Sequence, residues 1–534
     1  MKKKLVLFIL TVVCLVIGFT GCGGNQSKDV IDSGKIEDEK ILKLASIGEL
    51  DNMTTLRMSP IITIAQKMIY ETLVVYEDGE YKPGLAESWE WNDDKTILTM
   101  KLRKGITFHD GEKFDASAVK EILEFYRSIP NCAFMKGIST INNIEAPSEY
   151  VVEINYKNPY FGVISDLSSP DILGMPSPKC IDKENKVLTS FVGTGPYVYT
   201  KFKKGEYTKF TRNENYWKET PYYDEVIVKY IPESSSRVKA LQTGEIDLIF
   251  GTAQLTYDDY AQSSTIPSMK GIMANQNERT RNIVVNASSE LCSDLNVRRA
   301  IAHSIDKKAI SEGLTYGNEE VADKLFFDGI AYSNCSMNNN WDYNIEKAKK
   351  LLDESGWMVN ESTGVREKNG KALKLVFTYP EEVDINSNIA TVIKSQLSEA
   401  GIDLEIKGLE QMLWWKADYS GEFDLTIWDT NEGATLPQRY FNPWLDSSAG
   451  MAAISKHEDK EKVISAINNY LTSGSNDKVK EAFDYIINFS NDQVIDIPIT
   501  YIKEKIVYNE NKISGYNFYG FSEFFDITKL TPKQ

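Results

Sequence analysis

Histidine is scarce: three occur in 534 residues, His109, His303 and His457. No two stand at metal-ligand spacing, so direct coordination of a bare metal ion is not expected. Neither a G-x-S-x-G elbow nor a phosphate loop occurs, and the chain offers no nucleophile–base constellation. Six cysteines occur, Cys14, Cys22, Cys132, Cys180, Cys292 and Cys335, none in a C-x-x-C pair. That spacing excludes a zinc cluster and a disulfide-dense scaffold. The last four read as buried free thiols, with a single disulfide left open. Positive charge is also in deficit, 60 Lys and Arg against 77 Asp and Glu, for a net charge of −17. A surface this acidic repels phosphates and argues against a nucleic-acid partner.

What is present begins at the amino terminus. Lys2, Lys3 and Lys4 precede a short apolar run at 5–19, followed by Thr20-Gly21-Cys22-Gly23-Gly24. The run is shorter than the ~20 residues of a membrane helix. It fits an export signal ending in small residues. The cysteine at the cut resembles a lipoprotein box, with Cys22 lipidated and the polar residues 23–40 as a flexible tether. Residues 1–21 hold three lysines and no acid, so the remainder carries −20. The body of the protein is expected outside the cytoplasmic membrane.

A chain this long is divided into two or three lobes. Residues 61–75 have helical spacing. Asp115 is placed to cap a helix, and 234–242 reads as a short helix. Strands are expected at 41–45, 96–102, 151–156, 207–211 and 226–231. Around residues 281–286 the character changes. Strands at 373–379, 404–407 and 423–428 alternate with helices at 296–306, 344–355 and 388–400, the order of an open α/β sheet with crossover helices. Gly193-Thr194-Gly195-Pro196-Tyr197 demands a turn, because glycine permits positive φ and proline confines φ.

Several pieces together resemble a known family. They are Tyr70-Glu71-Thr72-Leu73, Pro83 to Trp89, Leu102 to Gly111 with His109, Gly193 to Tyr197, Arg212-Asn213-Glu214-Asn215-Tyr216-Trp217, Thr243-Gly244-Glu245-Ile246-Asp247, Val297 to Asp306 and Gly356-Trp357. In this order and spacing, over about residues 42–530, they are similar to the solute-binding family 5 receptors of ABC importers, most of all the nickel-binding branch. The resemblance implies an α/β, two-lobed periplasmic-binding fold of type II. Lobe I would comprise 41–276 plus 499–534, with a subdomain at about 80–190, and lobe II 277–498. It also implies hinge closure on cargo and delivery to a membrane ABC permease. Neither catalysis nor a cofactor is implied, and a monomer is expected. An extracellular hydrolase or a ligand-sensing receptor on the same fold stand as alternatives.

The cargo stays open between a nickel or metallophore-type chelate and a short peptide. The resemblance places the nickel binders' first-lobe arginines and tryptophan at Asn131, Asp171 and Phe134, and their second-lobe tryptophan near Glu432. Asp171 and Glu432 reverse the local charge, which favours an amine-bearing ligand. In the peptide binders an aspartate after strand 423–428 pairs with the peptide's amino group; here Asp429 or Glu432 stands nearest. Met58, Trp428 and Asn431 complete the expected ligand wall. Arg439, with Arg127, is a candidate carboxylate clamp. Of the neighbours Trp414 and Trp415, at most one can face a core squarely on a helix.

Overall fold

The computed structural model describes residues 40–533 apart from 56–58, 60, 133–134, 331–332, 431–436, 447, 474 and 521–522. Cys22, Met58, Phe134, Asn431 and Glu432 therefore lie outside the described residues. For Asn131 and Asp171 the description covers the backbone alone, on the short helices Pro130–Cys132 and Pro170–Leu173.

Two large sheets carry the fold. The first has seven strands, in the order Tyr197–Lys203, Tyr207–Arg212, Glu225–Tyr230, Ile41–Ser46, Leu248–Phe250, Lys505–Asn509 and Met269–Met273. Ile41–Ser46 runs parallel to both of its neighbours, and Leu42 and Leu44 point into one core. The second has six, in the order Glu320–Val321, Asp496–Ile502, Arg279–Val285, Leu425–Asp429, Lys374–Pro380 and Asp403–Leu409. Its last three strands are parallel and joined by the helices Asp384–Glu399 and Gln411–Ser420, the crossover pattern expected from sequence. A four-stranded antiparallel sheet, Ala86–Trp91, Ile97–Leu102, Val151–Tyr156 and Ile141–Ser148, is packed by the helix Ala116–Ser128. Asp115 caps that helix, accepting from the backbone N–H groups of Ser117 and Ala118 at 3.0 Å each.

The chain passes between the two large sheets at 274–278 and again at 503–504. Strand Asp496–Ile502 stays whole in the second sheet, so the return lies a few residues beyond 499. Arg279 sits at the first passage. It donates to Asp429 Oδ2 at 2.8 Å, Glu523 Oε1 at 2.7 Å and Thr252 Oγ1 at 3.0 Å. One guanidinium thereby ties the end of a second-sheet strand to a loop beside the first sheet.

Residues 61–75 depart from expectation. Only Gln66–Ile69 is helical, and Val74–Glu77 is a strand. From Ile62 to Val74 the segment is buried on every side except at Lys67 and Glu71, so periodicity carries no information about its backbone. Residues 296–306 also divide: one helix ends at Ser304, and Asp306 caps the next, Lys307–Thr315.

Three of the sequence pieces that carry the resemblance converge on one carboxylate. Glu71 accepts from Thr194 Oγ1 (3.0 Å), Tyr216 Oη (3.0 Å), Trp217 Nε1 (2.6 Å) and Lys218 Nζ (2.8 Å). Beside it the Gly195 carbonyl accepts from Asn213 Nδ2 at 3.0 Å and meets His109 Nε2 at 2.9 Å. Gly193 and Gly195 are needed here for close approach and not for positive φ. A Cβ on either would collide with the Ile69 or Met68 carbonyl oxygen.

Cys132, Cys180, Cys292 and Cys335 are buried, and none of them forms a disulfide.

Candidate functional site

One short element of the second half of the chain packs against residues 135–169. After the Leu425–Asp429 strand and residues 431–436, the chain makes a single helical turn, Gln438–Phe441, and continues into the 3-10 turn Asn442–Leu445. Pro437 starts the turn, where its missing N–H costs nothing. Phe441 and Trp444 anchor it in the apolar core, with ring centroids 5.6 Å apart. Tyr440 fixes it to the second sheet by donating to Asp496 Oδ1, which also accepts from Asn282 Nδ2 at 2.7 Å. Burial raises the Asp496 carboxyl to about 6.

With Tyr440 directed at that sheet, the residues flanking it reach the subdomain. Arg439 Nη2 donates to Ser169 Oγ at 3.0 Å and lies 4.0 Å from Met135 Sδ. Asn442 Nδ2 donates to Tyr160 Oη at 2.8 Å. Gln438 packs against Gly162: a Cβ added to that glycine would stand 3.0 Å from Gln438 Cγ. Gln438 is fully enclosed, and neither its Nε2 nor its Oε1 has a hydrogen-bond partner. The seam continues outward through the Lys136–Asp446 ion pair at 2.9 Å and the Phe161 N–H to Leu471 carbonyl bond at 2.9 Å. There it opens as a groove of about 380 Å³ lined by Lys136, Tyr160, Leu445, Asp446, Asn468 and Leu471.

Charge in the seam is mixed. Asp166 is buried and accepts from the Gly137 N–H at 2.8 Å. Burial, followed by the field of Asp166, holds Tyr160 far above the ordinary phenol range, while Arg439 acts in the opposite sense. A seam that sets a guanidinium and two carboxamides against neutral hydroxyls holds groups that can grip a polar solute by hydrogen bonds.

Of the sequence-derived candidates with described side chains, Arg439 stands in this seam. Trp428 stands at the end of its strand, half-buried, with its Nε1 already donating to Asp418 Oδ2 at 2.6 Å and its ring 4.7 Å from that of Trp414. Burial lifts Asp418 to about 7. Trp414 is the buried member of its pair and Trp415 is half-buried. Arg127 stands apart, at the exposed end of its helix, and donates to the Asn142 carbonyl at 3.2 Å. His109 and His303 bond backbone carbonyls, and among the described residues no cluster fit for a metal ion occurs. Gln438 and Asn442 are not singled out by sequence reasoning. The available signal is their i, i+4 spacing beside Arg439, directly after a proline.

Comparison with known proteins gives one profile match. The profile described as bacterial extracellular solute-binding proteins, family 5 Middle, covers residues 80–452. The nickel-binding periplasmic protein of Escherichia coli (strain K12) is 28% identical over 451 residues, 83% of this chain and 85% of that one. The oligopeptide-binding protein AppA of Bacillus subtilis (strain 168) is 27% identical over 440 residues, 78% of each chain. The crystal structure of NikA from Brucella suis in complex with Fe(III)-EDTA superposes with a TM-score of 0.87 at 29% identity, covering 93% of this chain and all of that one.

Proposed function

The chain belongs to the bacterial extracellular solute-binding proteins, family 5, and from that premise we propose that it is the cargo receptor of an ABC importer. It encloses a small polar solute between its lobes and presents the closed form to a membrane permease. The observation that carries this reading is the seam at Gln438, Arg439 and Asn442, where buried polar groups of one lobe meet Ser169 and Tyr160 of the other. Such groups are costly to bury without a partner, and a bound solute offsets the cost. Lobe I is taken as 41–276 with the carboxy-terminal return, and lobe II as the segment between. Closure is a hinge motion at the two passages, driven by the cargo's higher affinity for the closed form.

The cargo is a nickel or metallophore-type chelate or a short peptide. Relatives named for nickel and for oligopeptides support both classes. Asn131, Asp171 and Glu432 are assigned to the cargo wall with Arg439. Export and lipidation at Cys22 would hold the receptor at the outer face of the cell membrane. Native mass spectrometry of the full chain, purified without refolding, tests the reading. A retained mass matching a peptide removes the chelate, and a nickel-containing adduct removes the peptide. Absence of any adduct, with no closure on Ni(II)–histidine, Fe(III)–EDTA or trialanine, overturns the receptor reading. Cys22→Ser should release the protein from membranes and abolish the diacylglyceryl mass on its amino terminus.

A further inference from the structure

We propose that Gln438 is a cargo-selecting residue, one that accepts solutes presenting an N–H group beside an oxygen acceptor and disfavours solutes presenting carboxylates alone. The inference deepens the receptor reading and rests on it. Gln438 has no exposed surface, and both polar atoms of its carboxamide lack partners. A carboxamide has one donor end and one acceptor end, so turning it over leaves the same two needs. Asn442, one turn further on, has its Nδ2 on Tyr160 and its Oδ1 without a partner. The two residues lie on one face of the turn, at i and i+4. Both are held at the boundary between lobes: Gln438 against Gly162, Asn442 against Tyr160.

The unmet needs define a ligand chemistry. Gln438 Nε2 requires an acceptor, while Gln438 Oε1 and Asn442 Oδ1 require donors. A peptide unit, or an amino acid with its amine and carboxylate adjacent, supplies both kinds. A ligand whose polar atoms are all carboxylate oxygens supplies only the first and sets oxygen against oxygen at the others. Leaving one such buried acceptor unmade is worth about tenfold in affinity or more. The neighbouring Arg439 serves carboxylates in either case, so discrimination falls to Gln438.

The test compares the full chain with Gln438→Met and Gln438→Glu by calorimetry, using trialanine, Ni(II)–histidine and Fe(III)–EDTA as probes. Methionine keeps the length and apolar volume and removes both polar atoms. Because no protein bond is lost, Gln438→Met should unfold in urea at or above the wild-type midpoint. The expected result is a tenfold or greater loss of affinity for whichever N–H-bearing probe the wild type binds. Affinity for Fe(III)–EDTA should stay within about threefold in Gln438→Met and fall further in Gln438→Glu. Equal affinity of wild type and Gln438→Met for the N–H-bearing probe overturns the assignment of Gln438 alone. A wild type that binds none of the probes fails differently, taking the receptor reading and this assignment down together.

Discussion

Arg439 Nη2 donates to Ser169 Oγ across 3.0 Å, joining residues 270 positions apart, one on the turn Gln438–Phe441 and the other at the start of the short helix Pro170–Leu173. Both residues are buried. A hydrogen bond to a charged group contributes about 1.5–3 kcal/mol. Ser169→Ala should therefore lower the closed-to-open ratio of the loaded receptor roughly tenfold or more, read by small-angle scattering or a two-site fluorescence pair. Arg439→Lys should behave similarly, since an ammonium cannot reproduce the planar fork. Unchanged closure in both variants would remove this bond from the closing mechanism.

The four donors on Glu71 make a second prediction. Glu71→Gln keeps the shape but turns one acceptor atom into a donor facing Trp217, Tyr216, Thr194 or Lys218. A loss of about 2–3 kcal/mol is expected in urea unfolding. Cargo affinity of the folded fraction should not move, because this carboxylate binds the scaffold to itself.

Gly195→Ala tests the close approach beside it. The added methyl meets the Met68 carbonyl oxygen, backbone against backbone, with no flexible side chain to yield. Overpacking of this kind costs about 1–3 kcal/mol. An unfolding midpoint equal to wild type would show that the Gln66–Ile69 turn can move aside.

Asp418 predicts a pH dependence of definite sign. Burial raises its carboxyl from the ordinary range near 3.8 to about 7, against the bonds from Trp428, Thr426 and Thr378. Between those values the folded state holds the proton more tightly than the unfolded chain, so this group's contribution falls as pH rises through about 4 to 7. Asp418→Asn should gain on wild type by about 1.4 kcal/mol per pH unit across that window, and the difference should level off above about pH 7. Urea titrations at pH 5, 6, 7 and 8 check it. A constant difference would mean that Asp418 stays charged throughout.

The second half of the fold is legible in the sequence because its strands alternate with amphipathic helices of ordinary length. The helix stopped by Gly401 and the parallel strands around it follow from period and punctuation alone. Residues 61–75 are not legible, since an enclosed segment has no wet face to set a period. The glycine pair at 193 and 195 announces a special backbone without saying which kind; the reason is the distance to another chain segment, which no local pattern encodes. Arg439 is legible as a charge near the cleft, whereas Gln438 is not, because glutamine is ordinarily a surface residue. Trp428 reads as a free aromatic wall, but its indole nitrogen is engaged by Asp418 from the preceding helix.

The turn Gln438–Phe441 has one more consequence. Tyr440 and Phe441 bear the mechanical attachment, through Asp496 and the aromatic core, while Gln438, Arg439 and Asn442 meet Gly162, Ser169 and Tyr160. Attachment and the recognition proposed above therefore alternate along five residues. On that proposal, exchanges at 438, 439 or 442 alter the accepted cargo while Tyr440 and Phe441 keep the turn in place.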